Sequence, residues 1–223
     1  RGVKTGLLVT IPLVAVAVFL QNRWYIESAP PRRDEAPGLS EAFSGMHGSL
    51  RTLLFCDILA RMGQTITKMY LVLYALNVVG IDSLHYGFLV AVQATASILV
   101  YIPVARLSDT RGRRPFVALT FLFFALFPAL VAISRSFPML LLAFLVAGLR
   151  ESGEPSRKAM IVDLAAESAR GSQVGLYYSI RGFVVMPGSI IGAFLWAISP
   201  SLPFVVGSLV AFMGLMVFLK RLL

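Results

Sequence analysis

Cysteine occurs once in this chain, at Cys56, so no internal disulfide can form. Histidine occurs twice, at His47 and His85, far apart. No cluster of Cys, His and Asp has metal-ligand spacing, and no His-based dyad or phosphate-binding glycine loop is present, so neither a metal, a cofactor nor an enzymatic activity is expected. Charge is scarce, at 14% of residues; a soluble domain carries about 25%. Acid is scarcer still, with 11 Asp and Glu against 20 Lys and Arg.

What replaces charge is apolar length. The hydrophobic set makes up 57% of the 223 residues, and the mean hydropathy is +0.80. Apolar runs of roughly 18 to 25 residues recur, each long enough to cross a bilayer as a helix. The expected fold is all-α, a polytopic transmembrane helix bundle of about seven spans. The net charge of +9 raises nucleic-acid binding. Basic cytoplasmic loops account for it without a nucleic acid.

The first run is Gly6 to Leu20, helical over Thr5 to Asn22 if it spans. Arg1, Lys4 and Ala15-Val16-Ala17 also fit a secretory leader. A polar stretch, Gln21 to Ser49, carries Pro30-Pro31, Arg32-Arg33-Asp34-Glu35 and Pro37-Gly38. It reads as a linker with a short surface helix near Leu39 to Met46. Six apolar segments follow, at about 50–78, 85–105, 115–134, 138–163, 173–198 and 203–220. The chain therefore divides into a transmembrane helix (1–22), a cytoplasmic linker (23–49) and a six-helix region (50–223).

Lys and Arg choose the orientation. If the first run spans from outside to inside, Arg23, Arg32, Arg33, Arg51, Arg106, Arg111, Arg113, Arg114, Arg170, Lys220 and Arg221 lie in the cytoplasm. Only Arg1, Lys4 and Arg135 lie outside. Cleaving the run as a leader reverses this count, against the positive-inside bias. The C-terminus is expected in the cytoplasm, and a start outside suits a chain whose upstream part is missing.

Between the second and third segments lies Ala105 to Pro115, ARLSDTRGRRP. One carboxylate, Asp109, sits among Arg106, Arg111, Arg113 and Arg114, and Gly112 with Pro115 predicts a tight turn over 106–114. Leu107, Asp109, Gly112, Arg113 and Arg114 match the pattern Gly-x-Leu-x-Asp-Arg-x-Gly-Arg-Arg/Lys; Ala105 and Thr110 depart from it. The stretch resembles the signature loop of the Major Facilitator Superfamily, in its second and more degenerate copy. Arg150-Glu-Ser-Gly153 and Glu167-Ser-Ala-Arg170-Gly171 are weaker echoes of the same family.

The resemblance implies the last helix of an N-terminal half, a central linker and a whole C-terminal half. It implies secondary active transport of a small solute by alternating access, proton-coupled, with drug or metabolite efflux as one form. The partners would be membrane lipid, the solute, protons and the missing N-terminal half of the same protein. The setting would be a prokaryotic inner membrane. Physically, Asp109 can face a helix N-terminus. Arg113 or Arg114 can pair with Asp163 or Glu167 to hold a cytoplasmic gate. Lipid anchoring is the plainer reading of the arginines.

Charge inside the spans is costly, about 2.5 kcal/mol or more per residue at the bilayer centre. Asp57, Arg61, Gln64 and Lys68 recur at spacings of 4, 3 and 4, forming one stripe on an apolar helix. Such a stripe lines a cavity, or neutralises itself through an Asp57–Arg61 pair. Arg150, Glu151, Glu154, Arg157 and Lys158 crowd the fourth segment, with Arg150–Glu154 and Glu154–Lys158 as i,i+4 pairs and Pro155 as a kink. Arg181 lies in the fifth, ahead of Pro187 and the Gly188-x-x-x-Gly192 spacing that permits close helix approach. The substrate or proton pathway is sought in Asp57, Arg61, Gln64, Lys68, Arg150, Glu151, Glu154 and Arg181. A non-transporting scaffold or receptor would need them only for helix assembly.

Overall fold

The computed structural model describes residues 2–24 and 39–222 and falls into two units, Arg1–Ala36 and Pro37–Leu223. In the first, α1 (Gly2–Trp24) is a continuous helix with Pro12 inside it. Its side chains from Val14 to Leu20 are exposed. Most of the linker expected at 23–49, including Arg32 and Arg33, lies outside the described residues.

The second unit is built from helices alone among the described residues. A short helix, α2 (Leu39–Ser44), packs on the start of α9 (Arg170–Val185). Arg51 Nη2 caps its end, donating to the carbonyls of Phe43 and Ser44 at 2.9 and 2.7 Å. The first long segment runs through α3 (Gly48–Lys68), a break at Met69, α4 (Tyr70–Tyr74) and a π-turn over Ala75–Val79. It ends at Gly80, whose φ of 79° suits glycine. α5 (Ser83–Arg111) follows, capped by the Asp82 carboxylate. Then come α6 (Arg114–Ile133), α7 (Phe137–Arg150) with a 3-10 turn at Glu151–Gly153, and α8 (Glu154–Leu164). α9, α10 (Gly188–Ile198) and α11 (Leu202–Leu222) close the bundle.

α5 corrects the expected turn at 106–114. It stays helical to Arg111, and the chain reverses only at Gly112 (φ 87°) and Arg113. Arg and Leu are good helix formers and tolerate the extra turns, so the break waits for the one residue that accepts positive φ. At Pro155, helix α8 begins with the proline in its first turn, after the 3-10 turn that replaces a smooth kink.

Among the described residues, four stretches are long and apolar enough to cross a membrane by length and composition: 83–111, 114–133, 167–198 and 202–222. Segments 48–79 and 137–164 are not among them; both are interrupted, and both carry several charges within their apolar length. Two apolar cores flank these interruptions. One gathers Leu50, Leu53, Phe121, Phe124, Tyr177 and Phe218. The other gathers Tyr74, Leu89, Val131, Phe144 and Phe204. Along these segments, Arg61 to Lys68 and Arg150 to Lys158 sit between the stretch that feeds one core and the stretch that feeds the other.

In lipid, helices gain little from hydrophobicity and associate through close packing. α3 and α11 use glycine for this. A Cβ on Gly63 would stand 2.3 Å from the Gly207 carbonyl oxygen, and one on Gly214 would stand 2.9 Å from that of Cys56. At the far end of the first segment, Tyr74 Oη donates to the carbonyls of Ala132 and Ser134 at 3.1 and 3.3 Å. It also accepts from Arg135 at 3.0 Å. These bonds take up carbonyls that the end of α6 leaves open.

Candidate functional site

The stripe on α3 meets the charges of α8 and α9 in a single buried network. Asp57 is fully buried, and its Oδ2 accepts three hydrogen bonds: from Arg157 Nη1 at 2.6 Å, Arg181 Nη1 at 2.9 Å and Tyr177 Oη at 3.1 Å. Arg157, 1% exposed, also donates through Nη2 to Glu154 Oε2 at 2.7 Å. Glu154 Oε1 accepts from Arg61 Nη2, and Arg61 Nη1 donates to Gln64 Oε1 at 2.9 Å. The order Arg181–Asp57–Arg157–Glu154–Arg61–Gln64 ties three segments together. Asp57 Oδ1, Arg61 Nε, Arg157 Nε and Ser156 Oγ are buried and form no hydrogen bond among the described residues.

Two of the local pairs expected from spacing, Arg150–Glu154 and Glu154–Lys158, give way to other partners. Arg150 pairs with Glu151 at 2.8 Å rather than with Glu154. Lys158 is exposed, and Glu154 is held by Arg61 and Arg157 instead. The expected Asp57–Arg61 pair is present at 3.8 Å, beside the shorter contacts each makes across helices. An i,i+4 contact on one helix is worth a few tenths of a kcal/mol, whereas a buried charge without partners costs far more. The network therefore forms wherever the packing offers guanidiniums to a buried carboxylate. Arg157 and Tyr177 are the members that residue spacing did not select. Their signals were Arg157 three residues after Glu154, and Tyr177 four before Arg181 on the same helical face.

Phe124 of α6 fills the middle of this arrangement. The guanidinium carbons of Arg61 and Arg150 lie 4.8 and 5.0 Å from its ring centroid, and Arg150 also lies 5.6 Å from Phe127. An aromatic face is a good neighbour for a guanidinium that has left water. Gly153 makes the approach of the 3-10 turn to α6 possible, since a Cβ there would collide with Thr120 Oγ1 and stand 2.6 Å from the Phe116 carbonyl.

A cavity of about 240 Å³ opens beside the network. It is lined by Gln64, Thr67, Lys68 and Leu71 of the first segment, Tyr86 and Gln93 of α5, Phe127 and Arg150. Lys68, exposed and without an ion-pair partner among the described residues, belongs to this cavity rather than to the network. Arg181 belongs to the network and not to the cavity lining. Among the described residues, no group of His, Cys, Asp and Glu could hold a metal ion.

At the Gly112 end the charges are exposed. Arg113 Nη1 donates to Asp163 Oδ2, joining the turn to the end of α8, and Arg113 Nε lies 3.8 Å from Asp109. Asp109 accepts no hydrogen bond from a helix N-terminus among the described residues; its recorded charged neighbour is Arg113. Glu167 pairs with Arg170 at 3.7 Å, not with the turn, and Arg114 makes no ion pair there. Exposed pairs contribute little, so Asp163→Asn is expected to change stability by under about 1 kcal/mol. A thermal melt in detergent checks this; a larger loss would make the pair a structural fastener. At the other break, Gly188 and Gly192 press α10 onto the first segment. A Cβ on Gly192 would stand 2.4 Å from the Ile66 carbonyl oxygen, and one on Gly188 3.0 Å from Met62 Sδ. Pro187 ends the preceding turn between α9 and α10.

Outside the spans, Asp82 accepts hydrogen bonds from the backbone N–H and the ring of His85, which hold its carboxyl below the usual carboxylate range. That contribution is present above the ordinary carboxylate pKa and is lost as pH falls through the lowered value.

The sequence model of the Major Facilitator Superfamily matches residues 53–222. An uncharacterised MFS-type transporter of Methanocaldococcus jannaschii is 32% identical over 111 residues, covering 49% of this chain and 28% of that protein. The class B tetracycline resistance protein of Escherichia coli is 30% identical over 125 residues, 56% of this chain and 31% of that protein. The class D tetracycline resistance protein of Salmonella ordonez is 32% identical over 125 residues, 56% and 32% respectively. The matched part of the chain thus spans about three tenths of the length of these relatives.

Proposed function

We propose that this chain, which belongs to the Major Facilitator Superfamily, supplies one half of a proton-coupled secondary transporter that exports a small solute by alternating access. Membership makes it an integral membrane protein of a transporter family. In the proposed arrangement, residues 1–22 are the last helix of the N-terminal half, 23–49 the cytoplasmic linker and 50–223 the C-terminal half. The other half belongs to the same protein, and the C-terminus lies in the cytoplasm of a prokaryotic cell. Relatives named for tetracycline resistance support efflux of a drug or metabolite.

The observation that carries the reading is the buried network at the interruptions of the spans. Transporters place coupling and substrate groups where membrane helices are discontinuous, and α8 and α9 both bring arginines to Asp57 there. A helix pair pinned by charge has two discrete states, joined or parted, which rocking motion requires. Arg113 and Asp163 form the equivalent contact at the cytoplasmic surface. Glu151 is the better proton carrier of the two glutamates. Both oxygens of Glu154 are held by guanidiniums, while Glu151 engages one oxygen and its side chain is 35% exposed.

The test is flux of radiolabelled tetracycline in proteoliposomes holding the complete protein. An imposed pH gradient is expected to drive flux, and Glu151→Gln to abolish the dependence on the gradient. Unaltered gradient-driven flux in both Glu151→Gln and Glu154→Gln removes proton coupling through these groups. Flux that ignores the gradient in the native protein removes proton coupling altogether.

A further inference from the structure

We infer that the cavity beside the network is an anion site, and that the solute it takes is a small organic acid with an apolar body. This names a substrate class for the transport reading and rests on it. The cavity lies deep in the spans: Gln93 is ten residues into α5 and Arg150 thirteen into α7, about 15 and 20 Å at 1.5 Å per residue. Ionisable and amide side chains at such depth mark a solute path by default.

What they present is rich in N–H and O–H donors. Lys68 has a free ammonium, and Arg150 keeps Nη1 unused after giving Nε and Nη2 to Glu151. Gln64 gives its carbonyl oxygen to Arg61, which turns its NH2 to the ligand side of the ledger. The Gln93 amide and the Tyr86 hydroxyl form no side-chain hydrogen bond among the described residues. No carboxylate lines the cavity. With Arg150 neutralised by Glu151, Lys68 leaves one uncompensated positive charge. A cation placed here would meet that charge, and the neutral oxygens of Gln93 and Tyr86 bring no negative charge to offset it. A carboxylate meets an ammonium and several N–H groups, the charge-assisted bonds that are the strong ones.

The remaining wall is apolar. Phe127 and the Tyr86 ring supply it, the latter held edge-on against Phe144 at 5.9 Å between centroids. The volume of about 240 Å³ is below the roughly 300 Å³ at which drug-sized pockets begin. It suits a small aromatic or branched carboxylate, or the acidic end of a larger solute.

Three isosteric probes separate the possibilities: benzoate, benzyl alcohol and benzylammonium. Each is titrated by calorimetry into the complete protein purified in detergent, with no gradient and no transport step. Benzoate is expected to bind tightest. Lys68→Gln should weaken benzoate about tenfold or more, from the loss of one charged hydrogen bond. Lys68→Arg should retain most of the binding, and benzyl alcohol should be indifferent to both changes. Gln93→Leu serves as a second variant on another helix and should also weaken benzoate. Arg221→Gln, at the end of α11, is the control and should change nothing. Tighter binding of benzylammonium, no benzoate binding at millimolar concentration, or equal benzoate affinity in Lys68→Gln and the native protein overturns the anion site. Benzoate binding by a protein that then moves no solute in vesicles would keep the site and remove the transport reading.

Discussion

Replacing Asp57 with alanine is expected to destabilise the helical bundle by about 3–5 kcal/mol, the cost of stranding a buried charge by removing its partner. Asp57 is the one carboxylate that Arg157, Arg181 and Tyr177 share. Arg157, at 1% exposure, cannot turn to water. Its Nη1 would lose its acceptor, leaving only the Nη2 bond to Glu154. The measurement is a thermal melt of the detergent-purified protein, read beside the folded yield. A loss below about 1 kcal/mol would mean that Arg157 finds another partner and that the network is replaceable. Asp57→Ala with Arg157→Leu should recover only part of the loss. Arg181 and Glu154 would still lack the partners that the pair provides, so neutralising two members does not empty the site of charge. Coupling of this kind is what separates a network from a set of ion pairs.

Gly63→Ala is expected to cost about 1–3 kcal/mol, the usual range for forcing volume into a packed contact. The added methyl would sit 2.3 Å from the Gly207 carbonyl oxygen and 3.1 Å from Ala211 Cβ. The first obstacle is backbone, which has no rotamer to adopt, so α3 and α11 must separate. Those two helices share the most extensive contact in the bundle. Gly175→Ala is the matching control, because nothing lies within 4 Å of its added Cβ. In a helix interior that change should be neutral or stabilise by roughly 0.5–1 kcal/mol. Equal melts for Gly63→Ala and Gly175→Ala would show that the seam can yield. Separation of α3 from α11 would also tilt the polar stripe, so under the proposed function transport by the complete protein should fall with stability.

Much of the bundle was legible in the residues. Long apolar runs, separated by Gly, Pro and charge, fix helices because the bilayer offers no partner for open backbone groups. Five of the six segments read from hydropathy agree with the observed helical stretches within a few residues, the second running six residues further to Arg111, and the family resemblance carried by Leu107, Asp109, Gly112, Arg113 and Arg114 agrees with the match over residues 53–222. The interruptions were less legible. Pro155 and Pro187 announced two of them. The break at Met69 and the π-turn at Ala75–Val79 carry no proline to announce them; the π-turn holds Asn77, Val78 and Val79, weaker helix formers, just before Gly80.

For the site, the sequence by itself determined which charges are trapped within the spans, since a charge must lie where the chain's order puts it between apolar runs. The stripe of Asp57, Arg61, Gln64 and Lys68 was set by helical period alone. The partners were decided only by tertiary structure. Glu154 is four residues from Arg150 and from Lys158 yet pairs with Arg61, 93 positions away. Lys68 shares the stripe yet leaves the network for the cavity. Neighbours along a helix compete with water at nearly equal terms. A carboxylate sealed between helices must take whichever donors the packing seals in with it, and no local spacing records which those are.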